Sequence, residues 1–318
     1  MTKARDFLGP YRLARLIRMG SSCQVWEAIE SDTGDRYALK VLREDFRENK
    51  TEVGFLKTEY EIAKAMNHPN VIKMHDLVLT GNAPFLVIEL FSELNIKQAL
   101  RRGPESIAYM LDTIIEQCTE SLYYMHSQGF VHCDLKPDNF LVSREGEVKL
   151  IDFTISQKIK KGLAKLFGGK SKTISGTRSY MSPEQIRGKQ LDARSDIYSF
   201  GCVLFEMVTG KLPYTGSSPN ELLNKHISAA IPSPLVANEN VTAEFAAVVK
   251  KMMAKSPDDR HESMWEVLKI LRATKIFKKP PRIPESSIFD DFPTAGRIHS
   301  QETVEDQDRA EAKKKASE

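Results

Sequence analysis

The stretch VHCDLKPDNFLV, Val131–Val142, combines Asp134, Lys136 and Asn139 with flanking residues that favour β-strands. A second segment a little further on, VKLIDFTIS, does the same with Asp152. Carboxylate and amide oxygens suit Mg²⁺, which takes its remaining ligands from phosphates and water, and a nearby lysine suits a phosphate charge. Either segment alone could be the polar turn of a hairpin, but together they predict a site for a metal ion and a phosphate.

The residues before this stretch predict a small antiparallel sheet. From Tyr11 to about Leu90, short runs such as QVWEAIES and DTGDRYALKVL alternate apolar and polar residues and are separated by turn residues. One amphipathic helix interrupts them, with Phe55, Glu59 and Ile62 on the same face. A carboxylate, that of Glu59, therefore lies on an otherwise apolar stripe.

The residues after Leu90 predict mainly helices. The segment SDIYSFGCVLFEMVTG is apolar nearly all round, which is typical of a helix buried in the centre of a lobe. Ser195 could cap this helix, and Asp196 would then need a buried partner. From about Lys278 the composition shifts to proline, serine and charged residues, which predicts a flexible tail.

Composition indicates a soluble protein without a strong overall charge. The 318 residues include 46 basic and 43 acidic side chains, so a net charge of +3 gives no reason to expect a nucleic-acid partner. No apolar run approaches the ~18 residues of a membrane span, and the N-terminus lacks the apolar core of a secretory signal. The four cysteines form no CxxC pair. We therefore expect reduced thiols and a cytoplasmic location.

Taken in order, the motifs resemble those of eukaryotic-type Ser/Thr protein kinases. The resemblance runs from about Tyr11 to Leu271 and is carried by YALK, HCDLKPDN, DFT, GTRSYMSPE, SDIYSFG and KSPDDR. It implies an α+β, bilobal fold, with a small antiparallel β-sheet N-lobe that contains one helix and a larger, mainly helical C-lobe. The implied divisions are an N-terminal extension at 1–10, the N-lobe at 11–90, the C-lobe at 91–277 with its activation segment at 152–184, and a flexible charged tail at 278–318.

The resemblance implies transfer of the ATP γ-phosphate to Ser or Thr hydroxyls of protein substrates, with Mg²⁺, or Mn²⁺ in its place, as the metal ion. Asp134 would orient the substrate hydroxyl and accept its proton, with Thr177 nearby. Lys136 would neutralise the γ-phosphate, and the KP form of this motif resembles Ser/Thr rather than Tyr kinases. Asn139 and Asp152 would bind the metal.

The resemblance also assigns the nucleotide site. Lys40 would hold the α- and β-phosphates and pair with Glu59, while Ile88 would be the gatekeeper before a hinge at residues 89–91. The residues expected to contact the nucleotide are Ile17, Gly20, Val25, Ala38, Lys40, Ile88, Glu89, Phe91 and Leu141.

Two buried interactions are implied in the large lobe. Glu184 of the GTRSYMSPE motif is expected to pair with Arg260. Asp196 is expected to hold the backbone of the HCD loop, which would supply its missing partner.

Three motifs depart from the family pattern. Cys133 replaces an arginine that receives a phosphorylated activation-segment residue, so we expect activity that is not switched through this contact. Thr154 replaces the glycine of DFG, and a β-branched residue there favours an inward Asp152. RMGSSCQV keeps one glycine of the phosphate loop, Gly20, which predicts weakened but measurable ATP binding.

These departures leave two other functions open. A pseudokinase or scaffold would bind nucleotide and partner proteins with weak transfer or none, although no metal ligand or catalytic acid is lost. A small-molecule kinase of similar fold is the weaker alternative, because GTRSYMSPE with Arg260 resembles a platform for peptide substrates.

Several local interpretations also stay open. Cys23 and Cys133 are either small space-filling residues or redox-sensitive thiols, if nearby lysines lower their pKa. The lysine-rich segment 156–178 is either a mobile solvated loop or a docking surface for acidic substrates, and its residues Ser171, Thr173 and Ser175 could be autophosphorylated. The motif IFDDF, with Phe289 and Phe292, is either an unstructured or partner-binding segment or a device that docks the tail on the small lobe.

Overall fold

A computed structural model of the chain describes residues 7–79, 81, 83–159 and 176–291. In these residues the small lobe is built on an antiparallel sheet with the strand order β1-β2-β3-β4-β6-β5. The strands are β1 (Phe7–Leu8), β2 (Tyr11–Met19), β3 (Cys23–Glu30), β4 (Arg36–Leu42), β5 (Met74–Val78) and β6 (Phe85–Glu89). The first strand lies inside the predicted N-terminal extension, where Phe7 pairs with Arg12, so the sheet begins earlier than the sequence indicated.

The helix of the small lobe, α1 (Lys50–Lys64), lies between β4 and β5 in the chain. The side chain of Asn49 caps it by accepting hydrogen bonds from two backbone amides of the first turn. Its buried face contains Leu56, Glu59, Ile62 and Ala63. The predicted stripe is confirmed for Glu59 and Ile62, and it directs a carboxylate towards the interior.

The large lobe is mainly helical, and together the two lobes confirm the bilobal α+β fold expected from the kinase resemblance. Its helices are α2 (Ile96–Ala99), α3 (Leu111–Ser127), α4 (Pro183–Ile186), α5 (Ala193–Thr209), α6 (Pro219–Ser228), α7 (Pro234–Ala237), α8 (Ala243–Met252) and α9 (Met264–Ala273). Short strands lie next to the cleft: β7 (Leu94–Asn95), β8 (Phe130–Val131), β9 (Phe140–Val142), β10 (Val148–Leu150) and β11 (Gln157–Lys158). Within the described ranges, no helix is both long enough and apolar enough to cross a membrane.

Helix α5 is the centre of the large lobe, and it is buried from Ser195 to its last residue. The expected buried helix is therefore confirmed, but the expected cap is wrong. Asp192 caps the helix by accepting a hydrogen bond from the backbone amide of Arg194. Ser195 lies inside the first turn, where its hydroxyl donates to Glu184 at 2.7 Å.

Part of the predicted C-terminal tail packs on the large lobe. Ile288 and Phe289 are 2% and 1% exposed and belong to the main hydrophobic core. The polar contacts of this segment go to large-lobe residues, with Arg144 donating to Asp290 at 2.6 Å and Arg102 pairing with Asp291. The described part of IFDDF is thus structured, and its two acids pair with large-lobe arginines. Phe292 lies outside the described residues.

Candidate active site

Helix α5 holds the backbone of the loop between β8 and β9. The backbone amides of His132 and Cys133 donate to the two carboxylate oxygens of Asp196, at 2.7 and 3.0 Å. His126 of α3 lies 2.8 Å from the same carboxylate, which is 1% exposed. The buried partner expected for Asp196 is therefore the loop backbone. Cys133 adopts a left-handed conformation with φ of 69°.

Asp134, Lys136 and Thr177 meet at the mouth of the cleft. Lys136 Nζ donates to Asp134 Oδ2 at 2.6 Å and to Thr177 Oγ1 at 3.1 Å. The backbone amide of Thr177 donates to Asp134 Oδ1 at 2.6 Å. Both oxygens of Asp134 are thus oriented, and its side chain stays 14% exposed.

Gly176 allows this close approach. Its φ is 115°, and a Cβ atom there would lie 3.1 Å from the carbonyl oxygen of Cys133 and 2.9 Å from the side-chain amide of Gln185. Gln185 in turn donates to that carbonyl oxygen at 2.8 Å. Sequence analysis missed the contribution of Gln185, because no motif spacing connects a residue of α4 with the β8–β9 loop.

Lys40, Glu59 and Asp152 form an ion cluster at the back of the cleft. Lys40 Nζ lies 2.6 Å from Glu59 Oε2 and 3.5 Å from Asp152 Oδ1. Burial would lower the pKa of Lys40, but the two carboxylates outweigh burial and raise it. Burial would likewise raise the pKa of Asp152, but Lys40 and a hydrogen bond from Thr154 hold it below its usual range. Burial raises the pKa of Glu59, although Lys40 opposes this. Lys40 and Asp152 are therefore charged throughout the neutral range.

Thr154 has a second role that the sequence did not reveal. Its hydroxyl donates to Asp152 Oδ1 at 2.5 Å and lies 3.3 Å from Glu59 Oε2. The Asp152 side chain points inward, as expected. Its backbone has a positive φ of 67°. The hydroxyl of a threonine two residues after Asp152 was the signal that could have indicated this contact.

Asn139 presents an unsatisfied oxygen in the same region. Its Nδ2 donates to the carbonyl oxygen of Asp134 at 2.9 Å, which fixes the amide orientation. Its Oδ1 is buried and finds no hydrogen-bond partner in the part of the chain that the structure describes. A buried amide oxygen without a partner fits a metal ligand, because burial without compensation is costly. With the Asp152 carboxylate, it offers the hard oxygen donors that Mg²⁺ prefers.

A cavity of about 730 Å³ lies between the lobes and connects these groups. The hairpin between β2 and β3 forms part of its wall, and Gly20 donates its amide to the Cys23 carbonyl oxygen at 2.8 Å. All the residues expected to contact a nucleotide line this cavity: Ile17, Gly20, Val25, Ala38, Lys40, Ile88, Glu89, Phe91 and Leu141. Asp134, Asp152 and Thr154 line it as well.

A buried ion pair supports the segment that carries Thr177. Arg260 donates to the two oxygens of Glu184 at 2.7 and 2.9 Å, and its side chain is 0% exposed. Burial would raise the pKa of Glu184, but its hydrogen bonds with Arg260 and Ser195 lower it. The remaining Arg260 donors reach backbone carbonyls, including that of Ala254 at 2.7 Å. The expected Glu184–Arg260 pair is thus present and fully hydrogen-bonded.

The two thiols near the cleft lack the property that redox sensing would need. Burial raises the pKa of the Cys133 thiol well above its usual range, and Asp196 and Asp134 raise it further. Burial also raises the pKa of Cys23, although Lys40 opposes it. Both thiols are therefore protonated at neutral pH, which favours the space-filling interpretation.

Most of the lysine-rich segment lies outside the described residues, which stop at 159 and resume at 176. The predicted phosphorylation positions Ser171, Thr173 and Ser175 fall in this gap, as do Lys160, Lys161, Lys165, Lys170 and Lys172. Lys158, which is exposed, is described in β11.

Comparison with known proteins agrees with this geometry. Residues 11–271 match the family model described as protein kinase domain. The chain belongs to the protein kinase family. This match covers both lobes and all the residues of the ion cluster and the β8–β9 loop. Members of the family use ATP with a divalent metal ion.

Several bacterial kinases are similar to this chain. Serine/threonine-protein kinase PknB of Mycobacterium tuberculosis is 32% identical over 276 residues, which cover 84% of this chain and 43% of PknB. A probable serine/threonine-protein kinase of Streptomyces coelicolor is 31% identical over 281 residues, with 84% of this chain and 40% of the relative covered. PknA of M. tuberculosis is 32% identical over 280 residues, with 86% and 63% covered. The chain thus spans about two fifths of the length of the first two relatives.

Proposed function

We propose that this kinase transfers the γ-phosphate of ATP to Ser or Thr hydroxyls of protein substrates. The observation that carries the proposal is the convergence of two charged groups on one cavity. Lys40, Glu59 and Asp152 lie at its back, and Asp134, which is paired with Lys136, lines it as well. Phosphoryl transfer depends mainly on positioning and electrostatic stabilisation, and these residues supply both.

Asp134 is proposed as the group that aligns the substrate hydroxyl and accepts its proton. The amide of Thr177 and the ammonium of Lys136 each bind one of its oxygens, which fixes the carboxylate plane. Lys136, 2.6 Å away, is also placed to balance negative charge on the transferred phosphoryl group. Lys40, held by Glu59, is proposed to bind the α- and β-phosphates.

Asn139 and Asp152 are proposed to hold Mg²⁺, or Mn²⁺ as a substitute. The unpartnered Asn139 Oδ1 and the ionised Asp152 carboxylate support this assignment. When bound, the metal ion would neutralise phosphate charge. Within the described ranges, no group of three or more His, Cys, Asp or Glu side chains forms an all-protein metal cage. A site with few protein donors is the type that Mg²⁺ shares with phosphates and water.

We further propose that activity does not depend on an arginine–phosphate contact in the β8–β9 loop. Cys133 is 5% exposed, carries a neutral thiol and donates to the Val131 carbonyl oxygen at 3.6 Å. It has no charge to attract a phosphorylated side chain.

All four cysteines are free thiols, which supports a reducing, cytoplasmic environment for this domain.

The test is phosphate transfer from labelled Mg·ATP, with and without a generic basic protein. We expect Asp134→Asn and Lys40→Met to lower the rate by about 10²–10⁴-fold, because Asp134 acts on the substrate hydroxyl and Lys40 positions the phosphates of ATP. Asp32→Asn and Lys57→Met make the same changes at exposed positions and should leave the rate unchanged. Wild-type labelling no higher than that of Asp134→Asn would contradict the proposal and favour a nucleotide-binding scaffold.

A further inference from the structure

We propose that Thr154 is a positioning residue, whose hydroxyl holds the Asp152 carboxylate ready to receive a divalent metal ion. The inference rests on the proposed function, because it concerns the metal site assigned there. It goes further by giving a role to the residue that replaces the glycine of the family motif.

The first step is the geometry of the hydroxyl. Thr154 Oγ1 lies 2.5 Å from Asp152 Oδ1 and 3.3 Å from Glu59 Oε2. A hydroxyl has one proton to donate, and the shorter distance assigns it to Asp152. Lys40 Nζ, which can only donate, lies 3.5 Å from the same hydroxyl oxygen. Thr154 therefore bridges the ammonium and the Asp152 carboxylate.

The second step is the weakness of the direct contact between Lys40 and Asp152. Lys40 Nζ is 3.5 Å from Asp152 but 2.6 Å from Glu59, so the ammonium is held mainly by Glu59. The hydroxyl of Thr154 is a closer partner of Asp152 than Lys40 is. Hydrogen bonds to ionised acceptors are about twice as strong as neutral ones. The Thr154 hydroxyl is thus the closest hydrogen-bond donor that orients this carboxylate, and it acts beside the charge of Lys40.

The third step is the local backbone. Asp152 has φ of 67°, a left-handed conformation that residues other than glycine adopt at some energetic cost. A hydrogen bond from the side chain two residues later favours the side-chain orientation that accompanies this backbone. The β-branch of Thr154 limits its χ1 angle, so little rotamer freedom is lost when the bond forms. A glycine at this position could provide neither the hydroxyl nor this restraint.

The test measures binding rather than turnover. Isothermal titration gives the Kd of ADP with Mg²⁺ and with EDTA for the full-length chain and its variants. Thr154→Val keeps the shape of the side chain and removes the hydroxyl, whereas Thr154→Ser keeps the hydroxyl. We expect Thr154→Val to lose about tenfold in Mg·ADP affinity and to keep its metal-free ADP affinity. Thr154→Ser should bind Mg·ADP within about twofold of wild type, since its charge-assisted bond is retained.

Three results would overturn the inference. Unchanged Mg·ADP affinity in Thr154→Val would mean that the hydroxyl does not position Asp152. An equal loss in Thr154→Ser would mean that the methyl group matters instead. An equal loss with and without Mg²⁺ would mean that the substitution damages the whole cleft. If Thr154→Val does not fold, Thr154→Ser against Thr154→Ala isolates the same hydroxyl.

The outcome can be separated from that of the proposed function. A wild-type chain that binds Mg·ADP but transfers no phosphate would contradict the proposed function and leave the role of Thr154 standing. A wild-type chain whose ADP affinity does not respond to Mg²⁺ would overturn the role of Thr154, whatever its transfer activity.

Discussion

Charged residues have different roles in two regions of the large lobe and the cleft. We call the buried groups Asp196, Glu184 and Arg260 the support, and the groups that line the cavity, including Asp134 and Asp152, the cleft face. In the support, Asp196 is 1% exposed and the Arg260 side chain is 0% exposed, and their hydrogen bonds go to protein groups. On the cleft face, the Asp134 and Asp152 side chains are 14% and 34% exposed. Charge in the support stabilises one backbone arrangement, whereas charge on the cleft face is available to a ligand.

This difference explains why the three departures from the family motifs are compatible with an intact site. Asp196 binds the backbone amide of Cys133, so the side chain at that position does not affect the contact. Gly20 forms the turn of its hairpin through its own amide. At position 154 a new side-chain contact is added. The support is thus insensitive to the substitutions, and their effects should appear on the cleft face.

The largest expected effect comes from breaking the support. Arg260→Met removes one partner of a buried ion pair and leaves the Glu184 carboxylate, which is 5% exposed, without its counter-charge. We expect a loss of about 3–5 kcal/mol in the free energy of unfolding. Chemical denaturation measures it.

Arg272→Met is the matched control. Arg272 also contacts two carboxylates, Glu116 at 2.7 Å and Glu120 at 2.5 Å, but its side chain is 42% exposed. Surface pairs of this kind contribute about 0–1 kcal/mol. Equal losses in the two variants would remove the distinction between the support and the solvent-exposed charges.

Acid should weaken the support before it affects the cleft face. Arg260 stacks on Tyr198, and the Tyr198 hydroxyl lies 3.0 Å from Nδ1 of the buried His226. Burial, helped by the nearby Lys255, lowers the pKa of His226 from 6.5 to about 4. The unfolded chain therefore takes up a proton below pH 6.5 that the folded chain rejects until about pH 4. Stability falls as pH falls through this window.

Through His226, acidification from pH 7 to pH 5 lowers the free energy of unfolding by about 2 kcal/mol. Denaturation of wild type and His226→Gln at both pH values measures it, and the variant should show a smaller loss on acidification. Asp152 stays ionised in this range because its pKa is lowered, so this carboxylate should contribute little. The same acid loss in both proteins would mean that His226 is not the titrating group.

Apolar periodicity predicted the small sheet and the helices, because it depends on local chemistry. The resemblance to kinase motifs, and not periodicity, assigned the residues that gather around the cavity. Three features were beyond both. The strand at Phe7 depends on pairing with Arg12, and the segment around Phe289 is held by Arg102 and Arg144, which are far away in the chain. Asp192, and not Ser195, caps α5, because the Ser195 hydroxyl donates to the buried Glu184 carboxylate instead. Each was decided by a distant partner that no local pattern specifies.

The smallest expected effect concerns the hairpin at the edge of the cleft. A Cβ atom on Gly20 would lie 3.1 Å from the Cys23 carbonyl oxygen, closer than ordinary contact, so a valine must push the turn open. We expect Gly20→Val to weaken ATP binding about tenfold, or roughly 1.4 kcal/mol, and to leave adenosine binding unchanged, since only the phosphates need the close approach of backbone amides. Ser21→Val places the same side chain at the next, exposed position and should have little effect. If ATP affinity is unchanged in Gly20→Val, the hairpin does not cover the phosphates, and the cleft face would consist of the ion cluster and the β8–β9 loop alone.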